Sequence, residues 1–390
     1  MRKSYEHCIR CTICVENCPV FKVNPQYPGP KQAGPDAMRF RIEGEKKVDS
    51  WISLCTQCRR CEQVCPHDVK PATLILQAQM EYVKYNGAKP TQIIFSNFHF
   101  ISHLASFFAP VANFATSLTI VKKMMKLVGL RDDIPFPRFS FRTMQRNKVK
   151  PEQGKRKAVF FHGCYLNGNA PDTGRNIVRL MQDLGVEVLV PPQVCCGLPA
   201  LGNGNEKKAK SFAQKNAEIF ASKVEQGYDI IYACTSCGHT LIHSYPELAG
   251  EKGKMIAENS WNIYEYIEKL INEKQLVLKL KEVKKVVSYH VPCHLKGSGK
   301  PYPALGLFHS IPGIELHVMD DNCCGFSGSY GFKKKNRETT ERLGKIAVKA
   351  HLESNPDVII SDCGACRMQI ENYTDVRVCD PIEILKESLE

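Results

Sequence analysis

CIRCTICVENCP at residues 8–19 and CTQCRRCEQVCP at residues 55–66 carry one spacing twice, C-x2-C-x2-C-x3-C-P. Three thiolates on a tight loop can hold three corners of an iron–sulfur cube, while the fourth cysteine turns away before the proline and serves a second cube. Cys8, Cys11, Cys14 and Cys65 are therefore expected to hold one [4Fe–4S] cubane cluster. Cys55, Cys58, Cys61 and Cys18 are expected to hold its neighbour. Structural zinc, the competing use of such cysteines, wants two C-x2-C pairs rather than a triplet closed by C-P.

The two motifs begin 47 residues apart, a long step for a compact β-type ferredoxin. GPKQAGPD at 29–36, followed by a mixed Arg/Glu stretch, reads as a turn leading into helix. A second helix is expected over 73–85, with Leu74, Ile75, Ala78 and Tyr82 on one face. Residues 1–90 are thus expected to form a helical two-cluster ferredoxin domain.

The rest of the chain contains a duplication. Cys164 recurs as Cys293, Cys195-Cys196-Gly197 as Cys323-Cys324-Gly325, and Cys234-x2-Cys237 as Cys363-x2-Cys366, at steps of 128 or 129 residues. Strands are expected at 158–161, 187–190 and 230–233 in the first unit, and at 286–289, 315–319 and 358–361 in the second. Alternation of these strands with helices implies a small parallel sheet in each unit. The cysteines then fall at the carboxyl edge, where α/β folds place their sites. Cys164, Cys195, Cys196, Cys234 and Cys237 are expected to converge on one further [4Fe–4S]-type cluster, and Cys293, Cys323, Cys324, Cys363 and Cys366 on another. Five thiolates exceed the four a cubane takes, so a non-cubane geometry stays open. Gly197 and Gly325 would let the backbone bend close to the sulfides. Cysteines buried merely as small hydrophobes would not recur in register. Cys379 has no counterpart and reads as a plain buried thiol.

Nineteen cysteines in 390 residues set the class; 43% hydrophobic and 24% charged composition excludes a disordered chain. The first eight residues are polar, without the apolar run of a signal peptide, so a reducing compartment and metal rather than disulfides are expected. The formal charge of +13 would raise nucleic acid as a partner. Four oxidised clusters at about −2 each reduce it to roughly +5. Lys and Arg also lack the interleaved aromatic platforms of single-strand binders, so no nucleic-acid partner is expected.

Residues 90–121 contain no Asp, Glu, Lys or Arg. Ile94, Phe98, Ile101, Leu104, Ala105 and Phe108 share one helical face, with His99, Ser102, His103 and Ser106 opposite, and Pro110 breaks the helix. The stretch is too interrupted and too polar to span a bilayer. A helix lying in the interface of an anionic membrane, with Lys122, Lys123 and Lys126 at the headgroups, is the expectation. A core helix or a contact face for a partner subunit competes with it. His99 and His103 stand at i, i+4 and are candidates for a quinone-proximal pair. Residues 142–157, rich in Lys, Arg and Gln, read as a solvated linker.

The expected architecture is therefore α+β and multidomain. The helical ferredoxin domain (1–90) precedes amphipathic membrane-interface helices (91–130) and a basic linker (131–157). Two duplicated α/β CCG domains follow, at 158–285 and 286–390. No G-x-G-x-x-G follows a strand, and GSGK at 297–300 matches a phosphate loop only superficially.

CIRCTICVENCPV from Cys8, GPKQAGPD from Gly29, HGCY at His162 and the two CCG triplets together resemble the iron–sulfur subunits of anaerobic glycerol-3-phosphate dehydrogenases, over essentially the whole chain. Glycolate and lactate oxidase iron–sulfur subunits share the architecture, as does the D subunit of heterodisulfide reductase. The resemblance implies an electron-transfer oxidoreductase subunit, peripheral on the cytoplasmic face of the cell membrane. It would take electrons from FAD-containing dehydrogenase subunits and pass them to menaquinone in anaerobic respiration. Full cysteine sets in both CCG units keep open disulfide/thiol chemistry of the heterodisulfide reductase kind, and a glycolate or lactate oxidase subunit is a further alternative. Two complete ferredoxin motifs argue against a passive membrane adaptor.

Overall fold

A computed structural model describes residues 4–41, 49–297 and 302–389. The helix expected in the Arg/Glu stretch is described only in part: residues 42–48, with its glutamates, lie outside the described residues, as do residues 298–300 of the GSGK stretch. The turn expected at 29–36 is instead helical past Gly29: residues 30–31 are helical, Gln32–Asp36 form a π-helical turn, and residues 37–38 continue it.

The N-terminal part is built from helices and 3-10 turns, with no strand among its described residues. Its longest helix, Pro71–Asn86, starts on a proline, whose missing N–H costs nothing there, and ends at Gly87 with φ +79°. Leu74, Ile75 and Ala78 are buried; Ile75 and Ala78 join Val20, Tyr27, Ala33 and Ile52 in a small core. Four short helices follow, Pro90–Ser96, Phe98–Phe107, Ala109–Ser117 and Thr119–Leu127, and Pro110 stands in the first turn of the third.

Each CCG unit is a four-stranded parallel sheet. Strands β1 (Arg156–Phe161), β2 (Val186–Leu189), β3 (Asp229–Tyr232) and β4 (Ser260–Asn262) lie in the order β2-β1-β3-β4. Strands β5 (Lys285–His290), β6 (Ile314–Met319), β7 (Val358–Ile360) and β8 (Arg377–Cys379) repeat it as β6-β5-β7-β8. Register sets Ala158 beside Asp229 and Val287 beside Val358. Parallel neighbours require crossover helices, and the order reverses direction beside β1 and β5. A crevice opens there at the carboxyl ends of the strands. The fourth strand of each sheet, three residues long, is absent from the sequence expectation. Cys379 ends β8 as a buried thiol pushed up to about 12, chiefly by burial.

The two sheets share one hydrophobic core that includes Phe160, Ile231, Tyr264, Tyr289, Phe308 and Ile360. The solvated linker expected at 142–157 is corrected at its start. Thr143 and Met144 are buried, and Met144 packs over Gly174, whose missing side chain makes room for it. Upstream, Arg131 is buried and paired with Asp133 (2.6 Å) and Glu341 (3.1 Å), which pins the segment to the second unit.

Candidate iron–sulfur sites and the pockets between them

Both ferredoxin motifs coil through the left-handed region at matching places. Arg10 (φ 63°) and Thr12 (φ 67°) flank Cys11, as Gln57 (φ 58°) and Arg59 (φ 60°) flank Cys58. Non-glycine residues hold such angles at a cost of about 1–3 kcal/mol each. Here they turn three thiols inward and bring amides towards sulfur, as with Gln57 N–H and Cys55 Sγ at 3.4 Å. Cys8, Cys11, Cys14 and Cys65 line one pocket together. Cys18, Cys55, Cys58 and Cys61 face one another elsewhere. Burial, then Cys8, Cys11 and Cys65, pushes the Cys14 thiol up to about 11, and burial with Cys58 pushes Cys18 to about 12. Thiols so crowded resist ionising until a cation neutralises them.

In the CCG units each cysteine sits just beyond a strand. Cys164 opens the helix Gly163–Gly168 after β1, Cys195 and Cys196 follow β2, and Cys234 and Cys237 bracket the first turn of Thr235–His243 after β3. Side-chain contacts run Cys164–Cys195–Cys196–Cys237–Cys234. The second unit reproduces this order. Cys293 Sγ lies 3.5 Å from Cys323, Cys324 Sγ lies 3.2 Å from Cys366, and Cys363 touches Cys366. Gly163 (φ +63°) is required, since a Cβ there would stand 2.6 Å from Cys237 Sγ. Gly197 and Gly325 also have positive φ, but the Cβ of each would meet the following helix, at Ala209 and Leu343. Helix packing, more than approach to sulfides, demands them, although Gly325 N–H does lie 3.4 Å from Cys323 Sγ.

A cavity of about 1130 Å³ lies between the two sets and is lined by Cys58, Cys196, Cys234, Cys293, Cys324 and Cys363, among others. All nineteen cysteines are free thiols. Grouped soft sulfur donors, most of them buried or half-buried, beside a cavity fit iron–sulfur groups.

The duplicated cysteines Cys164 and Cys293 face different neighbours. Cys293 touches Cys58 of the second ferredoxin motif. Cys164 lines the large cavity as well and, in addition, a small pocket with His99, His103, His162, Gln193 and Cys195. The His99 and His103 rings are 4.6 Å apart, and His99 also meets the Phe212 ring at 5.5 Å. Burial, then His103, holds His99 down near 4, so its imidazole is neutral at pH 7. His162 is buried; its Nδ1 lies 2.7 Å from Gly163 O and its Nε2 2.7 Å from Gln145 Nε2. Those partners assign an Nδ1–H donor and an Nε2 acceptor.

Three histidines beside the cysteines, His239, His290 and His294, are missing from the sequence reading, and His162 enters it only as part of the HGCY motif. His239 stacks on His294 at 4.9 Å, and His294 Nδ1 lies 2.9 Å from Ser236 Oγ. His162, His239 and His294 each stand within two residues of a CCG cysteine, a signal available in the sequence.

The uncharged helices carry a further correction. Ser102 and Ser106 are buried against Gly168, where a Cβ would stand 2.8 and 3.1 Å from their hydroxyls. Phe98, Ile94 and Ile101, expected on the outward face, are half-buried. The outward stripe is Phe100 (66% exposed), Leu104, Phe107, Phe108, Val111 and Phe114 (65%), continued by Ile120, Met124 and Leu127. Small hydroxyls let the helix approach the glycine closely, and the large rings are left outside. Lys126 pairs with Asp132 at 3.0 Å, while Lys123 stands exposed beside the stripe. Among the described residues no helix is long and apolar enough to cross a membrane.

Comparison with known proteins agrees with this architecture. The cysteine-rich CCG domain family matches residues 158–242 and 287–371, and the 4Fe-4S dicluster domain family matches 4–69. The C subunit of the anaerobic glycerol-3-phosphate dehydrogenase of Escherichia coli K12 is 35% identical over 99% of both chains. The B subunit of the CoM/CoB fumarate reductase of Methanothermobacter marburgensis is 29% identical, over 98% of this chain and 72% of that one. The D subunit of the dihydromethanophenazine:CoB–CoM heterodisulfide reductase of Methanosarcina acetivorans is 24% identical, over 98% and 94%.

Proposed function

We propose, for a chain that belongs to the family of anaerobic glycerol-3-phosphate dehydrogenase C subunits, that it carries electrons from an FAD-containing dehydrogenase to menaquinone at a membrane surface. The oxidoreductase character comes with the family; the donor, the acceptor and the membrane side are the proposal. Iron–sulfur groups, when bound by the four cysteine sets, supply one-electron storage. Because such centres cannot take a hydride, a flavin must divide the two-electron oxidation of the secondary alcohol to a ketone. Reduction of menaquinone to menaquinol then consumes two electrons and two protons.

One observation carries the reading. The duplicated residues Cys293 and Cys164 both line the large cavity but differ in their other neighbours, Cys293 touching Cys58 and Cys164 bordering the His99/His103 pocket. The ferredoxin sets, the second CCG set and the first CCG set thus form an ordered series of positions, with the flavoprotein docking at the ferredoxin end. The far end lies behind the outward phenylalanines of Phe98–Phe107, the face proposed to rest on anionic lipid at the cytoplasmic side. There His99 and His103 would hydrogen-bond the quinone oxygens and hand on protons. The cavity shared by two complete cysteine sets supports a second reading, in which a disulfide is reduced there.

The test combines the purified chain with an FAD-dependent glycerol-3-phosphate dehydrogenase and a menaquinone analogue. Alone, the chain should oxidise no glycerol-3-phosphate; together, oxidation should couple to quinone reduction. His99→Ala with His103→Ala should slow quinone reduction and leave reduction of the chain by the flavoprotein unchanged. Substantial disulfide reduction by the isolated chain with an artificial donor would replace this reading by the second.

A further inference from the structure

The two CCG units place an interior side-chain triad at equivalent positions and fill it with opposite chemistry. In the first unit it is Val159, the fourth residue of β1, Phe161, the sixth, and Phe220, the fifteenth residue of the helix Glu206–Glu225. In the second it is Ser288 and His290, the fourth and sixth residues of β5, and His351, the fifteenth of Arg337–Leu352. The ring pairs superpose in kind. Phe161 and Phe220 have centroids 5.3 Å apart at 50°, and His290 and His351 have centroids 5.3 Å apart at 52°. Ser288, His290 and His351 are wholly buried, as Val159 and Phe161 are.

Replacing three core hydrophobes by polar groups costs stability unless each polar atom is satisfied. Two of the three contacts needed are made within the triad. Ser288 Oγ lies 2.7 Å from His351 Nδ1, and His351 Nε2 lies 3.1 Å from His290 Nδ1. The remaining atom, His290 Nε2, has no partner within the triad and faces the Cys324 thiol. It is aimed at the second cysteine set: the donor atoms of His290, Cys324 and Cys366 lie within 4.8 Å of one another.

Only one direction of the chain suits that neighbourhood. The Ser288 hydroxyl donates to His351 Nδ1, His351 Nε2–H donates to His290 Nδ1, and His290 is left with a proton on Nε2. The reverse direction would point a bare lone pair at thiolates. We propose that His290 donates an Nε2–H hydrogen bond to sulfur of the iron–sulfur group held by Cys293, Cys323, Cys324, Cys363 and Cys366. Ser288 and His351 act as positioning residues that fix the His290 tautomer. A hydrogen bond to cluster sulfur stabilises the reduced, more negative form, so it raises the reduction potential. The first unit, with phenylalanine at the same place, lacks this contribution. The duplication therefore yields two sites of one ligand set and unequal potential. The inference rests on the iron–sulfur reading of the second set.

The experiment is an anaerobic redox titration of the full chain followed by electron paramagnetic resonance, with iron content measured on each sample. His290→Phe, which installs the residue of the first unit, should move the second-set signal to lower potential and leave the ferredoxin and first-set signals in place. His290→Gln, which keeps an N–H donor, should recover much of the shift. His351→Phe should move the signal the same way by less. With [15N]histidine, the reduced wild-type protein should show a weak nitrogen coupling that His290→Phe abolishes. An unmoved potential at full iron content overturns the proposal, as does a strong coupling diagnostic of a direct iron–nitrogen bond. If His290→Phe fails to load iron, the His290→Gln potential and the nitrogen coupling decide. A wild-type chain with no second-set signal at all refutes the iron–sulfur reading itself, a failure distinct from an unmoved potential.

Discussion

The Cys58 and Cys293 thiols touch, so the second ferredoxin motif and the second CCG set meet edge to edge. The contact is held by docking around it. Arg60 pairs with Asp321 at 3.4 Å, Asn24 Nδ2 donates to Thr339 Oγ1 at 2.8 Å, and the Ser327 hydroxyl donates to the Thr56 carbonyl. Cys293→Ser should therefore alter the line shape or relaxation of the Cys55/Cys58/Cys61/Cys18 signal. Cys164→Ser, at the equivalent position of the other unit, should leave that signal as it is. Identical ferredoxin spectra in both variants would contradict the adjacency.

Cys65 stands with Cys8, Cys11 and Cys14 rather than with the rest of its own motif. Cys65→Ser should disturb the same cubane signal as Cys8→Ser, and Cys18→Ser the same one as Cys55→Ser. Anaerobically prepared wild-type chain should hold about 16 iron atoms, four per cysteine set. About 8 irons with ferredoxin-type signals alone would remove the CCG sites from the scheme.

Phe100 and Phe114 lie on the outward stripe at 66% and 65% exposure. Each phenyl ring withdrawn from water into lipid contributes about 2 kcal/mol. Phe100→Glu with Phe114→Glu should leave the chain in the supernatant when vesicles containing anionic lipid are sedimented, and the wild type should pellet with them. Equal retention of both would assign the stripe to a protein partner.

Arg367 is buried with Asp380, Nη1 to Oδ2 2.6 Å, and also donates to the Ser361 carbonyl at 2.6 Å. Arg367→Met strands a buried carboxylate, which costs about 3–5 kcal/mol. A clear drop in the thermal midpoint is expected. Removing both charges with Arg367→Met and Asp380→Asn should restore part of it, and no recovery would mean that packing of the arginine stem matters more than the pair.

Local spacing carried the parts of this protein that depend on neighbours in the chain. The thiols of each C-x2-C-x2-C loop are within reach of one another whatever the rest of the fold does, and the strand-end cysteines follow from the alternation of β1 to β3 and its repeat in β5 to β7. The helix over Pro71–Asn86 was legible for the same reason, since Leu74, Ile75 and Ala78 define one face by their spacing alone.

Periodicity could not supply the partner that each face meets. It separates Ser102 and Ser106 from the phenylalanines of Phe98–Phe107, but only the docked Gly168 decides that the hydroxyls turn inward and the rings outward. His290 sits in an apolar strand where sequence gives it no role; its partner His351 comes from a helix that packs there only once the sheet is assembled. The contacts of Cys58 with Cys293, and the pocket joining His99 to Cys164, likewise pair residues distant in sequence. By itself the sequence determined which cysteines gather at each loop and strand end, because those placements follow from local spacing. Which of those groups adjoin, and which polar residues surround them, was decided by tertiary packing, because burial and hydrogen bonding across the core depend on surfaces that exist only in the folded chain.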